Sequence, residues 1–113
     1  MSRRWELFLR DMLEAAKKIV RYIGSREAET FLADEMAYDA TLRNLEILGE
    51  AAKAIPEEIR QRHPEVDWRG VAGLRDVLAH AYFALDDATL WKIVHTDIRQ
   101  LLEVLENIER ELP

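Results

Sequence analysis

The chain has 113 residues, of which 49% are apolar, and a formal net charge of −6. This is the length of one domain with enough apolar content for a core. The acidic balance argues against a general nucleic-acid coat protein, because phosphate binding draws on a surplus of Lys and Arg, and the lack of cysteine excludes disulfides and thiolate metal sites.

The opening, "MSRRWELFLRDML", carries charges every few residues and reads as no signal peptide. Trp5, Phe8, Leu9, Met12, Ala16, Ile19, Val20 and Ile23 follow in steps of three and four, which predicts an amphipathic helix. Gly24 is placed to end it as a left-handed C-cap, and Ser25 to cap the next helix. A second helical stretch runs from about Glu27 to Ile55, with Phe31, Leu32, Met36, Tyr38, Leu42, Leu45, Leu48, Ala52 and Ile55 on its apolar face. Asp34 marks a break or kink within it.

Pro56 opens a short helix, "PEEIRQR", with acidic residues in its first turn, and Pro64 stops it. Asp67 is the N-cap of "WRGVAGLRDVLAHAYF". Gly70 and Gly73 within that segment have two readings: another backbone or a ligand comes close there, or the helix is broken before Leu74. Asp86 caps the last helix, whose stripe is Leu90, Trp91, Val94, Ile98, Leu101, Leu105 and Ile108. No strand pattern competes. The expected fold is all-α, an up-and-down bundle of four main helices plus a short extra helix, in a single domain over residues 1–113. With no apolar run near the ~20 residues that cross a bilayer, the expectation is a cytoplasmic protein with no membrane partner.

Residues 75–82, "RDVLAHAY", carry the chemistry-bearing side chains. Asp76 and His80 are four apart, so on a helix they share one face. A carboxylate beside an imidazole fixes its tautomer and favours its protonated form. Arg75 and His80 flank an edge where both could reach a phosphate. Tyr82 lies two turns beyond Arg75 on the same face. The plainer alternative stays open from spacing alone: a weak surface Asp–His pair, a core tyrosine, and an arginine capping a neighbouring helix. His63 is expected to be exposed in a polar turn, and His95 to be a satisfied polar residue at the core boundary. The histidines lack metal-ligand spacing, so neither a metal nor another cofactor is expected. Arg60, Arg62, Arg69 and Arg75 leave room for a local cationic patch.

Arg75, four residues, His80, one residue, Tyr82 resembles the R-x4-H-x-Y motif of the HepT-like toxins, in the HEPN superfamily of helical ribonucleases. "LRNLEILGEAAKAIPEEIR", with Gly49-Glu50-Ala51, and "DWRGVAGLRDVLAHAYF", with Trp68, resemble that family's flanking segments. The position after the motif arginine is often Asn in the family and is Asp76 here. The resemblance implies a metal-independent endoribonuclease toxin. In it His80 would be general acid/base, Arg75 would bind the phosphate and Asp76 would orient His80. It further implies a homodimer, an RNA substrate, and an MntA-type nucleotidyltransferase antitoxin that adenylylates the motif tyrosine, here Tyr82. The alternative is a non-catalytic helical partner or substrate-binding subunit of a minimal nucleotidyltransferase.

Overall fold

The computed structural model describes residues 4–81 and 86–112, apart from the side chains at 77 and 79–81. The first helix, α1 (Trp5–Ile23), buries Leu9, Met12, Leu13, Ala16, Ile19 and Ile23, none more than 3% exposed. It stops at Gly24, whose φ of +54° suits a residue without Cβ and whose N–H donates to the Val20 carbonyl. The expected cap by Ser25 is not found. The next helix, α2 (Ala28–Ala33), starts after Glu27 with no side-chain cap.

Asp34 divides the second apolar stretch, as expected. Its backbone is extended, and its Oδ1 accepts the Ala37 N–H at 3.1 Å, so a new helix begins, α3 (Glu35–Lys53). The break resets the helical phase, and Met36, expected on the apolar face, stands 84% exposed in the first turn of α3. Further along, α3 buries Leu42, Leu45, Leu48 and Ala52. It also buries Thr41 and Asn44: Asn44 donates to the Ala40 carbonyl at 2.8 Å, whereas the Thr41 hydroxyl has no partner among the described residues.

The short helix α4 (Glu57–Arg62) follows Pro56 and ends before Pro64. Asp67 then caps α5 (Trp68–Ala72) through the Gly70 N–H at 3.0 Å. The single helix expected from here is two, because the chain breaks at Gly73 and resumes as α6 (Leu74–Ala81). A Cβ on Gly70 would collide with the Asp67 carboxylate, so glycine there makes room for the cap. A Cβ on Gly73 would meet only carbonyls of its own turn, from Arg69 and Gly70. The helix is broken before Leu74, as one of the two readings of these glycines has it.

The last column is continuous: α7 (Asp87–Lys92), a π-helical segment (Ile93–Asp97) and α8 (Ile98–Arg110). Asp86 caps it through the Thr89 N–H at 2.7 Å. Leu90, Val94 and Ile98 are spaced by four, and two such steps drift by about 80° on an ordinary α-helix of 3.6 residues per turn. The wider π turn absorbs that drift, so these three and then Leu101, Leu105 and Ile108 all face the core at 9% exposure or less.

Four helical columns thus form an all-α bundle, with α2 and α4 as short additions and no strand among the described residues. α1 packs against both α3 and α8, and α3 also packs against α5 and α6. Arg99 clips α8 to the end of α1 by donating to the Gly24 carbonyl at 2.8 Å. Each fully buried Leu or Ile stabilises this arrangement by about 1.5–3 kcal/mol relative to exposure. No helix among the described residues is long and apolar enough to cross a membrane.

Candidate active site

Gly49 sets where the site forms. It is buried on α3, facing the junction of α5 and α6. A Cβ there would stand 3.1 Å from the Val71 carbonyl oxygen, 3.4 Å from the Arg75 nitrogen and 3.6 Å from the Ala72 carbonyl oxygen. Backbone lies against backbone here, and a side chain on this residue would push its neighbour aside by a few tenths of an ångström. Another backbone does come close to the segment between Gly70 and Gly73, at Val71 and Ala72, and the glycine that faces it there is Gly49 on α3.

Glu50, the next residue, is therefore carried alongside α6. Its Oε1 accepts a hydrogen bond from Arg75 Nη1 at 2.5 Å. The pair spans 25 residues of sequence, and both side chains remain about half exposed, 55% for Arg75 and 47% for Glu50. An ion pair this wet contributes about 0–1 kcal/mol, so fold stability is not a sufficient reason for it.

Arg75 and Asp76 occupy the first turn of α6, both exposed, immediately after the Gly73 break. The Asp76 N–H donates to the Gly73 carbonyl at 3.0 Å and ties the start of α6 to that break. His80 belongs to the same helix, one turn beyond Asp76 and about 7.5 Å along the axis from Arg75 at 1.5 Å per residue. The His80 side chain, and Tyr82 entirely, lie outside the described residues, so the expected Asp76–His80 pairing and the position of the tyrosine are not tested by the geometry. Arg75 and Asp76 are exposed at the start of the helix that also carries His80.

Two grooves flank this junction. One, of 630 Å³, runs along α1 and α3 and is lined by Phe8, Asp11, Arg43, Glu46, Glu50 and Lys53 among others. Glu50 is common to this groove and to the arginine pair. The other, of 490 Å³, is mainly apolar and separates α5 and α6 from the π segment and α8, with Val71, Leu74, Ile93, Leu101 and Val104 on its walls. Of the basic residues considered for a cationic patch, Arg62 and Arg69 are exposed, Arg60 is half-buried and Arg75 is paired with Glu50.

The remaining histidines differ from expectation. His63 is not exposed: its side chain is 15% accessible, Nδ1 lies 3.3 Å from Glu65 Oε1, and its carbonyl accepts the Trp68 indole N–H at 2.9 Å. Burial of Trp68 draws this turn inward. His95 is exposed on the π segment and stacks on Trp91 at 4.8 Å between ring centres. Among the described residues no three His, Cys, Asp or Glu side chains gather closely enough to hold a metal ion. The residue that sequence reasoning missed is Glu50 as the partner of Arg75. A glycine inside an apolar helical stretch was the available signal for a close approach.

Comparison with known proteins bears directly on this helix and its motif. The family model described as "Ribonuclease HepT-like" matches residues 12–108, which take in most of every main helix and the whole 75–82 stretch. "Probable ribonuclease HepT" of Thermococcus cleftensis is 40% identical over 110 residues, covering 97% of this chain and 100% of that one. "Putative RNase MJ0127" of Methanocaldococcus jannaschii is 38% identical over 108 residues, covering 92% of this chain and 89% of the other. No solved structure matches. With a family match across most of its length and relatives of this identity along nearly all of it, the chain belongs to the HepT-like ribonuclease family of RNA-cleaving hydrolases.

Proposed function

We propose that this protein is a metal-independent endoribonuclease toxin, a single HEPN/HepT-like domain that acts as a homodimer. The observation that carries this reading is the first turn of α6. Arg75 and Asp76 are exposed there, on the same helix as His80 and in R-x4-H-x-Y register, in a chain of a ribonuclease family. In the reaction the ribose 2′-oxygen attacks the adjacent phosphorus, a P–O2′ bond forms and the P–O5′ bond breaks. The products are a 2′,3′-cyclic phosphate and a free 5′-hydroxyl. His80 takes the proton from the 2′-hydroxyl, and a protonated imidazole, that of the second copy in a shared cleft, returns one to O5′. Arg75 binds the phosphate and stabilises the charge that develops on it. Asp76, one turn away on the same face, orients the His80 ring. Two arginines in one cleft supply a local cationic site on a chain of net charge −6.

The same reading places Tyr82 under control of an MntA-type nucleotidyltransferase antitoxin. Adenylylation there adds a bulky negative group beside the motif and excludes RNA by charge and volume. The direct test is cleavage of a labelled RNA by the purified protein in the presence of EDTA. Wild type is expected to cleave, and His80→Ala to lose at least about 100-fold in rate. Equal cleavage by wild type and His80→Ala, with both folded, rejects the assignment in favour of a non-catalytic partner of a nucleotidyltransferase.

A further inference from the structure

We infer that Glu50 is a positioning residue for Arg75: it holds the guanidinium at the phosphate position before RNA arrives. This deepens the ribonuclease reading and rests on it.

Three observations converge on Glu50. The first is the pair itself, in which Glu50 Oε1 accepts from Arg75 Nη1 at 2.5 Å from a helix 25 residues away in sequence. The second is the means by which the pair is made: Gly49, next door, lacks the Cβ that would crowd the Val71 carbonyl oxygen at 3.1 Å, so α3 lies close enough for a glutamate to reach. The third is that Glu50 is poorly placed for its own helix. It stands in the last turn of α3, where the helix dipole disfavours an acid, and four residues after Glu46, a like charge on the same face. An exposed pair adds little to stability. A glutamate whose ion pair adds little to the fold is accounted for by what it holds.

The chemistry comes from the shape of the guanidinium. It carries five N–H donors in a planar fork. Anchoring Nη1 fixes the plane and is compatible with presenting the other donors to a phosphate. A long flexible side chain then loses its rotamer freedom during folding and not at the moment of reaction, which is how preorganisation accelerates a step. The carboxylate also offsets part of the positive charge of Arg75, so it restrains ground-state attraction for RNA. The expected signature is thus a loss in kcat without a rise in KM.

The experiment is steady-state cleavage of a short fluorogenic RNA by Glu50→Ala, Glu50→Gln, Arg75→Ala and the double variant Glu50→Ala, Arg75→Ala, with thermal melts confirming that each is folded. Glu50→Ala is expected to lower kcat about tenfold with KM unchanged or lower. Glu50→Gln, which keeps an oxygen acceptor at the same place, should recover most of that loss. In the Arg75→Ala background, removing Glu50 should change nothing further, because the two act as a unit. A Glu50→Ala enzyme with wild-type kcat overturns the inference, as does a raised KM with kcat intact. So does an equal loss from Glu50→Ala in the Arg75→Ala background. If Arg75→Ala itself cleaves like wild type, the ribonuclease reading of Arg75 has failed and Glu50 has nothing to position; if Arg75→Ala is inactive and Glu50→Ala keeps the wild-type kcat, only the positioning role is lost.

Discussion

Arg26 and Arg75 each reach a carboxylate across a helix boundary, Arg26 to Asp34 at 2.8 Å and Arg75 to Glu50 at 2.5 Å. The surroundings differ. Arg26 also donates to the Tyr22 carbonyl at the end of α1 and lies 5.9 Å from the Phe31 ring centre, and its partner Asp34 caps α3. One guanidinium there joins the end of α1, helix α2 and the start of α3, and 30% of its side chain is accessible. Arg75 is nearly twice as exposed and is held by a glutamate that its own helix disfavours. The same pair of functional groups closes a corner in one place and presents a charge to solvent in the other. Surroundings, not the contact distance, separate the two pairs.

The sharpest way to break this contrast is to truncate each arginine in turn. Arg75→Ala should reduce RNA cleavage by at least about 100-fold, the loss expected when a group that stabilises developing charge is removed, with the melting temperature nearly unchanged. Arg26→Ala should do the reverse, lowering the melting temperature by a few degrees and leaving cleavage of the folded protein intact. Were both variants to lose activity in proportion to stability, the division into two kinds of pair would collapse.

A smaller effect is expected at the glycine that brings Glu50 to α6. Gly49→Ala puts a methyl group 3.1 Å from the Val71 carbonyl oxygen, a backbone atom that cannot rotate away. The cost should be about 1–3 kcal/mol, typical of overpacking, read as a lower midpoint in chemical denaturation. Cleavage should fall as well, since the glutamate is displaced with its helix. A variant as stable and active as wild type would show that the two helices are not fixed by this contact.

The smallest effect concerns pH. The hydrogen bond from Arg26, and then the Ala37 N–H, hold the Asp34 carboxyl below its ordinary pKa of about 3.9. The Thr89 backbone N–H does the same for Asp86. A carboxyl with a depressed folded pKa contributes stability that is complete above its unfolded pKa and is lost as pH falls through the folded value. Asp34→Asn should therefore melt below wild type at pH 7, with the gap closing as pH drops beneath about 4. A gap that stays constant down to pH 2 would show that charge plays no part in this corner.

Much of this was legible because it is local. The apolar steps of α1, the left-handed glycine at position 24, the break at Asp34 and the caps at Asp67 and Asp86 depend on groups within about one helical turn of each other. The motif stretch was legible for the same reason, since a helix converts spacing directly into faces. Met36 and Ser25 were misjudged where one local rule overrode another: the break at Asp34 changed the phase that Met36 had been assigned, and α2 began at Glu27 without the serine.

The amino-acid order by itself determined the helical class, most helix starts and stops, and the helical register of Arg75, Asp76 and His80, because hydrogen bonds and capping act over three or four residues. Only the tertiary structure decided that Gly49, and not Gly70 or Gly73, is the point of close helix contact. It also decided that Glu50 meets Arg75, that His63 is drawn inward, and that a π turn keeps Leu90, Val94 and Ile98 on one face. These depend on groups brought together from distant parts of the chain or on the demand of the core for a continuous apolar face, and no short-range periodicity encodes which distant surfaces will meet.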